Sequence, residues 1–157
     1  MRVGIGFDAH RLVDGRDLIL GGVKIPFAKG LEGYSDADVL THAMMNALLG
    51  ASGLKDLGTQ FPTGNPEYKD VSSLILLDRV KKLINSKGFV INNIDTMIIA
   101  EQPKIAPYVD EIRRTLCDAL NIQIEQLMVK AATTDGLGFS GRGEGIAAQA
   151  VATLDST

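Results

Sequence analysis

The sequence predicts an α+β fold: one two-layer sandwich over residues 1–157, a mixed β-sheet with helices on one face. Three observations point to it. Val3, Ile5 and Phe7 alternate with Gly4, Gly6 and Asp8, the period of a half-buried strand. Later segments repeat apolar residues at helical spacing and alternate with strand-like runs. Two short early strands sit around Gly21-Gly22 as a hairpin would, which argues against a purely parallel sheet.

The elements follow in order. After the first strand, Asp14-Gly15 is a turn signal, and Leu18 to Leu20 and Val23 to Ile25 read as short strands. Ser35 is the expected N-cap of the first helix, with Asp38 three residues on in the capping-box place. That helix runs to about Gly53 on a stripe of Val39, Leu40, Ala43, Met44, Ala47, Leu48 and Ala51, with His42 and Asn46 on its flank. Lys55 to Lys69, with two prolines and two glycines, reads as an irregular loop. Asp70 or Ser72 opens a second helix that buries Leu74, Leu77, Val80 and Ile84 and stops at Gly88. Ile91 to Ala100 is a strand broken by Pro103. Pro107 fits the first turn of a third helix that buries Val109, Ile112, Leu116 and Leu120. Leu127 to Ala132 and Ile146 to Leu154 are the last strands, with glycine-rich sequence between them. Three helices cover one face of such a sheet. The last strand sets Ile146, Ala148, Ala150, Ala152 and Leu154 on one side and Ala147, Val151 and Thr153 on the other. Apolar residues on both sides predict burial of both, and so self-association.

Bulk properties narrow the function classes. The chain is 45% hydrophobic and 22% charged, as a globular domain is. Its net charge of −3 argues against a nucleic-acid surface, though not against a small phosphorylated ligand. One cysteine, Cys117, excludes an intrachain disulfide framework and fits a reducing, cytoplasmic setting; its place beside Leu116 reads as core. No signal peptide and no apolar run of membrane-spanning length are visible, so no membrane role is expected. Asp110, Glu111, Arg113 and Arg114 read as a solvated helix face.

The chain has only two histidines, His10 and His42. Asp8 and His10 point to one side of a strand and can share a ligand. One carboxylate and two imidazoles leave one corner of a tetrahedral zinc open, as catalytic sites do. The plainer reading is a turn in which Asp8 accepts local amide bonds and His10 lies on the surface; the fold must decide. Gly4-x-Gly6-x-x-Ala9 is no dinucleotide fingerprint, because its glycines lie inside the strand and no helix follows. The Gly136 to Gly145 segment lacks a phosphate-loop lysine and reads either as a flexible connector or, through Phe139 and Arg142, as the wall of a site for an apolar phosphorylated ligand. Thr133-Thr134-Asp135 reads as a polar strand end with Asp135 in an Asx-turn. Lys104, between Pro103 and a helix start, reads as a solvated lysine or a phosphate contact.

Ordered motifs then recur from end to end: Gly4-Ile5-Gly6-Phe7-Asp8-Ala9-His10, Gly21-Gly22-Val23-Lys24-Ile25-Pro26, Ser35-Asp36-Ala37-Asp38-Val39, Asp56-Leu57-Gly58, Phe61-Pro62, Pro103-Lys104, and Gly138-Phe139-Ser140-Gly141-Arg142-Gly143-Glu144-Gly145. Together they resemble the family of 2-C-methyl-D-erythritol 2,4-cyclodiphosphate synthases. The resemblance implies conversion of 4-diphosphocytidyl-2-C-methyl-D-erythritol 2-phosphate to the cyclic diphosphate and CMP, in the non-mevalonate route to isoprenoids. It implies no protein nucleophile, and none is found.

The resemblance also implies site residues. Asp8, His10 and His42 would hold Zn²⁺, with Ala9 beside the substrate. Asp135, where the family has Glu, would hold a second divalent ion, Mg²⁺ or Mn²⁺. Tyr34 and Thr133 would act on the phosphates in the transition state, with Thr134 alongside, and Ser35 would bind the 2-phosphate end. Asp56, Leu57 and Gly58, with Phe61, Pro62, Thr63, Gly64 and Asn65, would line the erythritol pocket. Ala100, Glu101, Gln102, Pro103, Lys104, Ile105 and Ala106 would wrap the cytidine end, near Ala132. A homotrimer is implied, with sites between subunits and a central channel in which Phe139 and Arg142 meet an isoprenoid diphosphate.

The chain departs from the family at several of these places. Tyr34 replaces a His, Thr63 and Asn65 replace acidic residues, Ala132 replaces a Thr, and Asn46 replaces an Asp that would orient His42. Two rival readings therefore stand beside the synthase: a zinc phosphoesterase using the same triad, and a non-catalytic trimer that binds nucleotide or isoprenoid phosphate.

Overall fold

A computed structural model describes residues 1–157. The first strand, β1, runs Arg2–Asp14, longer than its alternation alone marks. Leu18–Leu20 (β2) and Val23–Ile25 (β3) form the expected antiparallel hairpin. A short strand at Lys29–Leu31, β4, carries no sequence signal and pairs with the end of β1. The helices are α1 (Val39–Ser52), α2 (Leu57–Gln60), α3 (Ser73–Ser86), α4 (Val109–Leu120) and α5 (Gly138–Gly141). The remaining strands are β5 (Phe89–Ile99), β6 (Leu127–Ala132) and β7 (Gly145–Ser156). The main sheet has the order β4-β1-β7-β5-β6; only β5 and β6 run parallel, so it is mixed as expected.

The three long helices pack on one face of this sheet, α1 across β1 and β7, with α3 and α4 beside it. Thirty-six buried residues form one continuous core, so there is no second hydrophobic centre. The inner row of β7 is buried as predicted: Ile146, Ala148, Ala150, Ala152 and Leu154. Of its outer row only Ala147 is buried; Val151 is 45% exposed on the isolated chain. Val151 aligns with Ile5 on one side and Asp95 on the other, and Asp95 aligns with Met128. Val3, Ile5 and Phe7 all stand open on the same face. Apart from Asp95, which pairs with Lys130, this face is an apolar patch of the kind that marks an interaction surface.

Five local expectations are corrected. The N-cap of α1 is Asp38, not Ser35: its carboxylate accepts the Thr41 amide at 3.1 Å. Ser35 instead closes a small turn through the Ala37 amide. The segment read as a loop from Lys55 to Lys69 contains α2, capped by Asp56, and a 3₁₀ turn at Pro66–Tyr68 capped by Asn65. The glycine-rich connector holds the one-turn helix α5. In α3, capped by Ser72, Leu76 joins the core, while Leu74 is only half-buried against Gly22. Arg113 is not a solvated side chain: its guanidinium donates to the Leu127 and Ile124 carbonyls at 2.9 and 2.7 Å.

Gly4 and Gly6 explain how α1 lies so close to β1. A Cβ on Gly6 would sit 1.9 Å from the Ala43 carbonyl oxygen, and one on Gly4 would sit 2.1 Å from that of Ala47. The glycines face the Ala43-Ala47-Ala51 stripe, so backbone meets backbone with no side chain between. Gly6→Ala would have to lift α1 from the sheet. Its unfolding free energy in urea is expected to fall by at least about 2 kcal/mol.

Candidate metal centre

The close approach of α1 to β1 brings His42 to Asp8. His42 lies one turn into α1 and is buried; Asp8 and His10 lie on the same side of β1 near its middle. Asp8 Oδ2 is 2.9 Å from His10 Nε2 and 3.1 Å from His42 Nδ1. One ligand atom from each of the three lies within 4.8 Å of the others, a spacing that suits a single ion. The surface-turn reading of Asp8 and His10 is thereby set aside. Burial alone would raise the Asp8 carboxyl, but the hydrogen bonds from His10 and His42 outweigh it and bring it down to about 2. His10 is raised, mainly by its hydrogen bond to Asp8 and against the pull of burial.

The outer partners of both rings are set by backbone and by Ser35. His10 Nδ1 lies 2.7 Å from the Glu32 carbonyl, to which it donates, so a neutral His10 turns its Nε2 lone pair inward. His42 Nε2 lies 3.3 Å from Ser35 Oγ, leaving Nδ1 for the centre. Arg16 ties down the same turn by donating to the Gly33 and Ser35 carbonyls at 3.0 and 2.8 Å. Asn46 does not orient His42: its Oδ1 accepts the Leu57 amide at 2.8 Å and so anchors α2. Borderline-soft imidazoles with one carboxylate form a donor set that fits zinc.

A cleft of about 170 Å³ opens over these histidines. Of the expected residues, Tyr34, Ser35, Leu57, Gly58, Phe61 and Thr63 line it. Tyr68 and Leu76 line it too, and nothing in the sequence marked them. Asp56, Pro62, Gly64 and Asn65 belong to the same segments without facing the cleft. Asp56 caps α2 through the Thr59 amide, and the Asn65 carbonyl accepts the Tyr34 hydroxyl at 3.1 Å.

A separate cleft of about 370 Å³ is lined by all of Ala100 to Ala106, with Ala131, Ala132 and Thr133. It shares no lining residue with the first. Ala9, Ala147, Ile99 and Ala132 are aligned across β1, β7, β5 and β6. Both clefts therefore open at one end of the sheet, three strand spacings apart, or about 14 Å. Asp135 lies beyond the second cleft at positive φ, in a turn where its carboxylate accepts from Thr133 Oγ1 at 3.3 Å, and it is not part of the Asp8–His10–His42 group. Thr134 donates to the Leu137 carbonyl. A third hollow, of about 220 Å³, lies on the other side of His10, against Ala9, Arg11, Phe139 and Glu144. Arg142 stands beside it, paired with Glu144 at 2.8 Å.

Comparison with known proteins agrees with this geometry. The model of the YgbB family matches residues 1–155. A 2-C-methyl-D-erythritol 2,4-cyclodiphosphate synthase from Alkaliphilus metalliredigens is 56% identical over 154 residues, 98% of this chain and 97% of its own. A solved 2C-methyl-D-erythritol-2,4-cyclodiphosphate synthase in its CDP-bound form superposes with a TM-score of 0.90 at 30% identity, over 98% of this chain and 100% of that one. The bifunctional IspDF from Campylobacter jejuni superposes with a TM-score of 0.96 at 35% identity; this chain covers 42% of it.

Titration with Co²⁺ checks the centre directly. The wild-type chain is expected to take up one equivalent with a tetrahedral absorption spectrum. His42→Ala abolishes that spectrum while the far-ultraviolet circular dichroism stays unchanged. Ser35→Ala, which frees the outer nitrogen of His42, weakens the affinity about tenfold.

Proposed function

The chain belongs to the YgbB family, and from that premise we propose that it closes 4-diphosphocytidyl-2-C-methyl-D-erythritol 2-phosphate into 2-C-methyl-D-erythritol 2,4-cyclodiphosphate, releasing CMP. It is an enzyme, a lyase of isoprenoid biosynthesis, with a metal-binding triad. The observation that carries the reading is the convergence of Asp8, His10 and His42 beneath a cleft at one end of the sheet.

In the reaction, an oxygen of the 2-phosphate attacks the β-phosphorus. One phosphorus–oxygen bond forms, the bond to CMP breaks, and no side chain has to act as nucleophile. The protein's work is to fold the substrate and place charge where phosphate oxygens gather it. Asp8, His10 and His42 hold Zn²⁺ in this reading; when bound, the ion supplies a Lewis acid and a template for the diphosphate. Tyr34 lines the cleft, and its hydroxyl would turn from the Asn65 carbonyl to a phosphate oxygen when substrate binds, with Ser35 as the 2-phosphate contact. Leu57, Gly58, Phe61 and Thr63 enclose the erythritol body, with Asp56 and the Pro62, Gly64 and Asn65 backbone behind them. The cleft from Ala100 to Ala106 takes the cytidine, largely by backbone, and Lys104 lies near its phosphate. Thr133 donates to phosphate oxygens as charge shifts, and Asp135 would hold Mg²⁺ or Mn²⁺, which would supply positive charge to the phosphates.

One substrate would have to reach from the histidines to Thr133, which stand at opposite sides of the sheet. A homotrimer meets this requirement, with the β1 side of one subunit facing the β6 side of the next. The exposed strip of Val3, Ile5, Phe7, Val151 and Met128 supports it. Phe139 and Arg142 then line a channel on the axis, where an isoprenoid diphosphate fits. No helix of the structure is long and apolar enough to cross a membrane, and the unpaired Cys117 supports a cytoplasmic setting.

Phosphorus NMR of the protein with the cytidyl substrate, Zn²⁺ and Mg²⁺ tests the reading. Cyclic diphosphate and CMP should appear in equal amounts. Open-chain hydrolysis products would favour a phosphoesterase, and binding without product a non-catalytic trimer. Thr133→Val is expected to lower kcat about ten- to a hundredfold with zinc content unchanged. Light scattering should return three times the chain mass of 16.8 kDa.

A further inference from the structure

Between Phe61 and Val71 no residue is buried, yet Phe61, Thr63 and Tyr68 form one wall of the cleft over the histidines. Phe61, Tyr68 and Val71 lean on the edge of the core without being buried in it, and a few directional contacts complete the hold on this wall. On its inner side the Tyr34 hydroxyl donates to the Asn65 carbonyl, and the Tyr34 carbonyl accepts the Asp70 amide at 3.0 Å. On its outer side one residue of α3 makes two contacts. The Arg79 guanidinium pairs with Glu67 at 2.7 Å and lies over the Tyr68 ring, 5.7 Å from its centroid. Tyr68 in turn meets Phe61 edge to face at 5.4 Å.

We propose that Arg79 is a positioning residue: from outside the cleft it clamps Glu67 and Tyr68 to α3 and so sets the substrate-facing wall from Phe61 to Val71. Arg79 does not line the cleft. Its planar fork suits both contacts at once, pairing with a carboxylate while stacking on an aromatic face. An exposed ion pair adds little to the stability of a whole domain. For a segment with no buried residue, the same contact decides between one arrangement and many. The effect is accordingly local, on the population of the binding-competent wall. A site that is only partly populated binds more weakly in proportion.

The kinetic consequence rests on the function proposed above; the structural consequence does not. With the cytidyl substrate, Arg79→Ala is expected to raise KM about five- to tenfold and leave kcat within about twofold, with zinc content and melting temperature unchanged. Arg79→Lys, which keeps the charge pair but not the stacking, falls between. Exchanging the charges, with Glu67→Arg and Arg79→Glu together, recovers part of the loss. Hydrogen exchange of the peptide spanning residues 61–71 supplies a readout independent of turnover. Arg79→Ala should speed its exchange several-fold while peptides of α1 keep their protection. Equal exchange in wild type and Arg79→Ala overturns the proposal, whether or not the substrate is turned over. An unchanged KM in an active enzyme overturns it too. A wild type that yields no product while the exchange difference persists refutes only the assigned reaction.

Discussion

Five donors converge on the buried carboxylate of Asp38. Oδ1 accepts the amides of Gly21 and Thr41, and Oδ2 accepts the Gly22 amide and the hydroxyls of Thr41 and Ser73. A charge taken wholly out of water is stable only when its lone pairs are filled in this way. The consequence reaches beyond one cap. Gly21 and Gly22 are the turn of the β2–β3 hairpin, Thr41 opens α1, and Ser73 opens α3. One side chain thus fixes three elements that no strand pairing joins. Each donor left without it would cost about 1–3 kcal/mol. The amide of His42 also bonds to the Asp38 carbonyl at 3.0 Å, so the metal-facing turn of α1 starts from this junction.

Given that start, the height of α1 above the sheet decides whether His42 meets Asp8. Gly4 and Gly6 remove the side chains that would separate strand from helix, and the alanines of α1 answer them. The triad is a by-product of this packing: a histidine on one element and an aspartate–histidine pair on another meet because the backbones nearly touch. The same sheet sends the cleft at Ala100 to Ala106 and Thr133 to its far side. In the function proposed above, an assembly of copies unites the two clefts, and the exposed outer face of Val3, Ile5, Phe7 and Val151 is the surface that proposal uses.

Much of the fold was legible in the sequence because it is written in local periodicity. The hairpin at Leu18 to Ile25, strand β6, the inner row of β7 and the stripes of α1 and α4 stand where their apolar spacing places them. What escaped has a physical reason in each case. Strand β4, Lys-Gly-Leu, lacks the apolar alternation and the glycine-pair turn that mark the equally short β2 and β3. Helices α2 and α5 make single turns, with no apolar face to betray them. Ser35 and Asp38 are both good capping residues, and only tertiary partners distinguish them: Asp38 can reach two amides of a distant turn, whereas Ser35 is drawn toward His42. Asn46, to whose place the family resemblance gives a partner of His42, is engaged by the Leu57 amide instead.

The chain's composition and order of residues determined the α+β class, the identity of the three metal-facing side chains and, through recurring motifs, the chemistry they serve. These are properties of residue type and spacing, which a linear chain carries in full. The tertiary structure decided which atoms meet. It chose Nε2 of His10 and Nδ1 of His42, because a Glu32 carbonyl and the Ser35 hydroxyl occupy the other nitrogens. It added Tyr68, Leu76 and Arg79 to the surroundings of the site, from segments that look unremarkable in one dimension. Backbone carbonyls and long-range side-chain contacts have no signature in residue order; only the packing of α1 on β1, and of the Phe61–Val71 segment on α3, brings them into being.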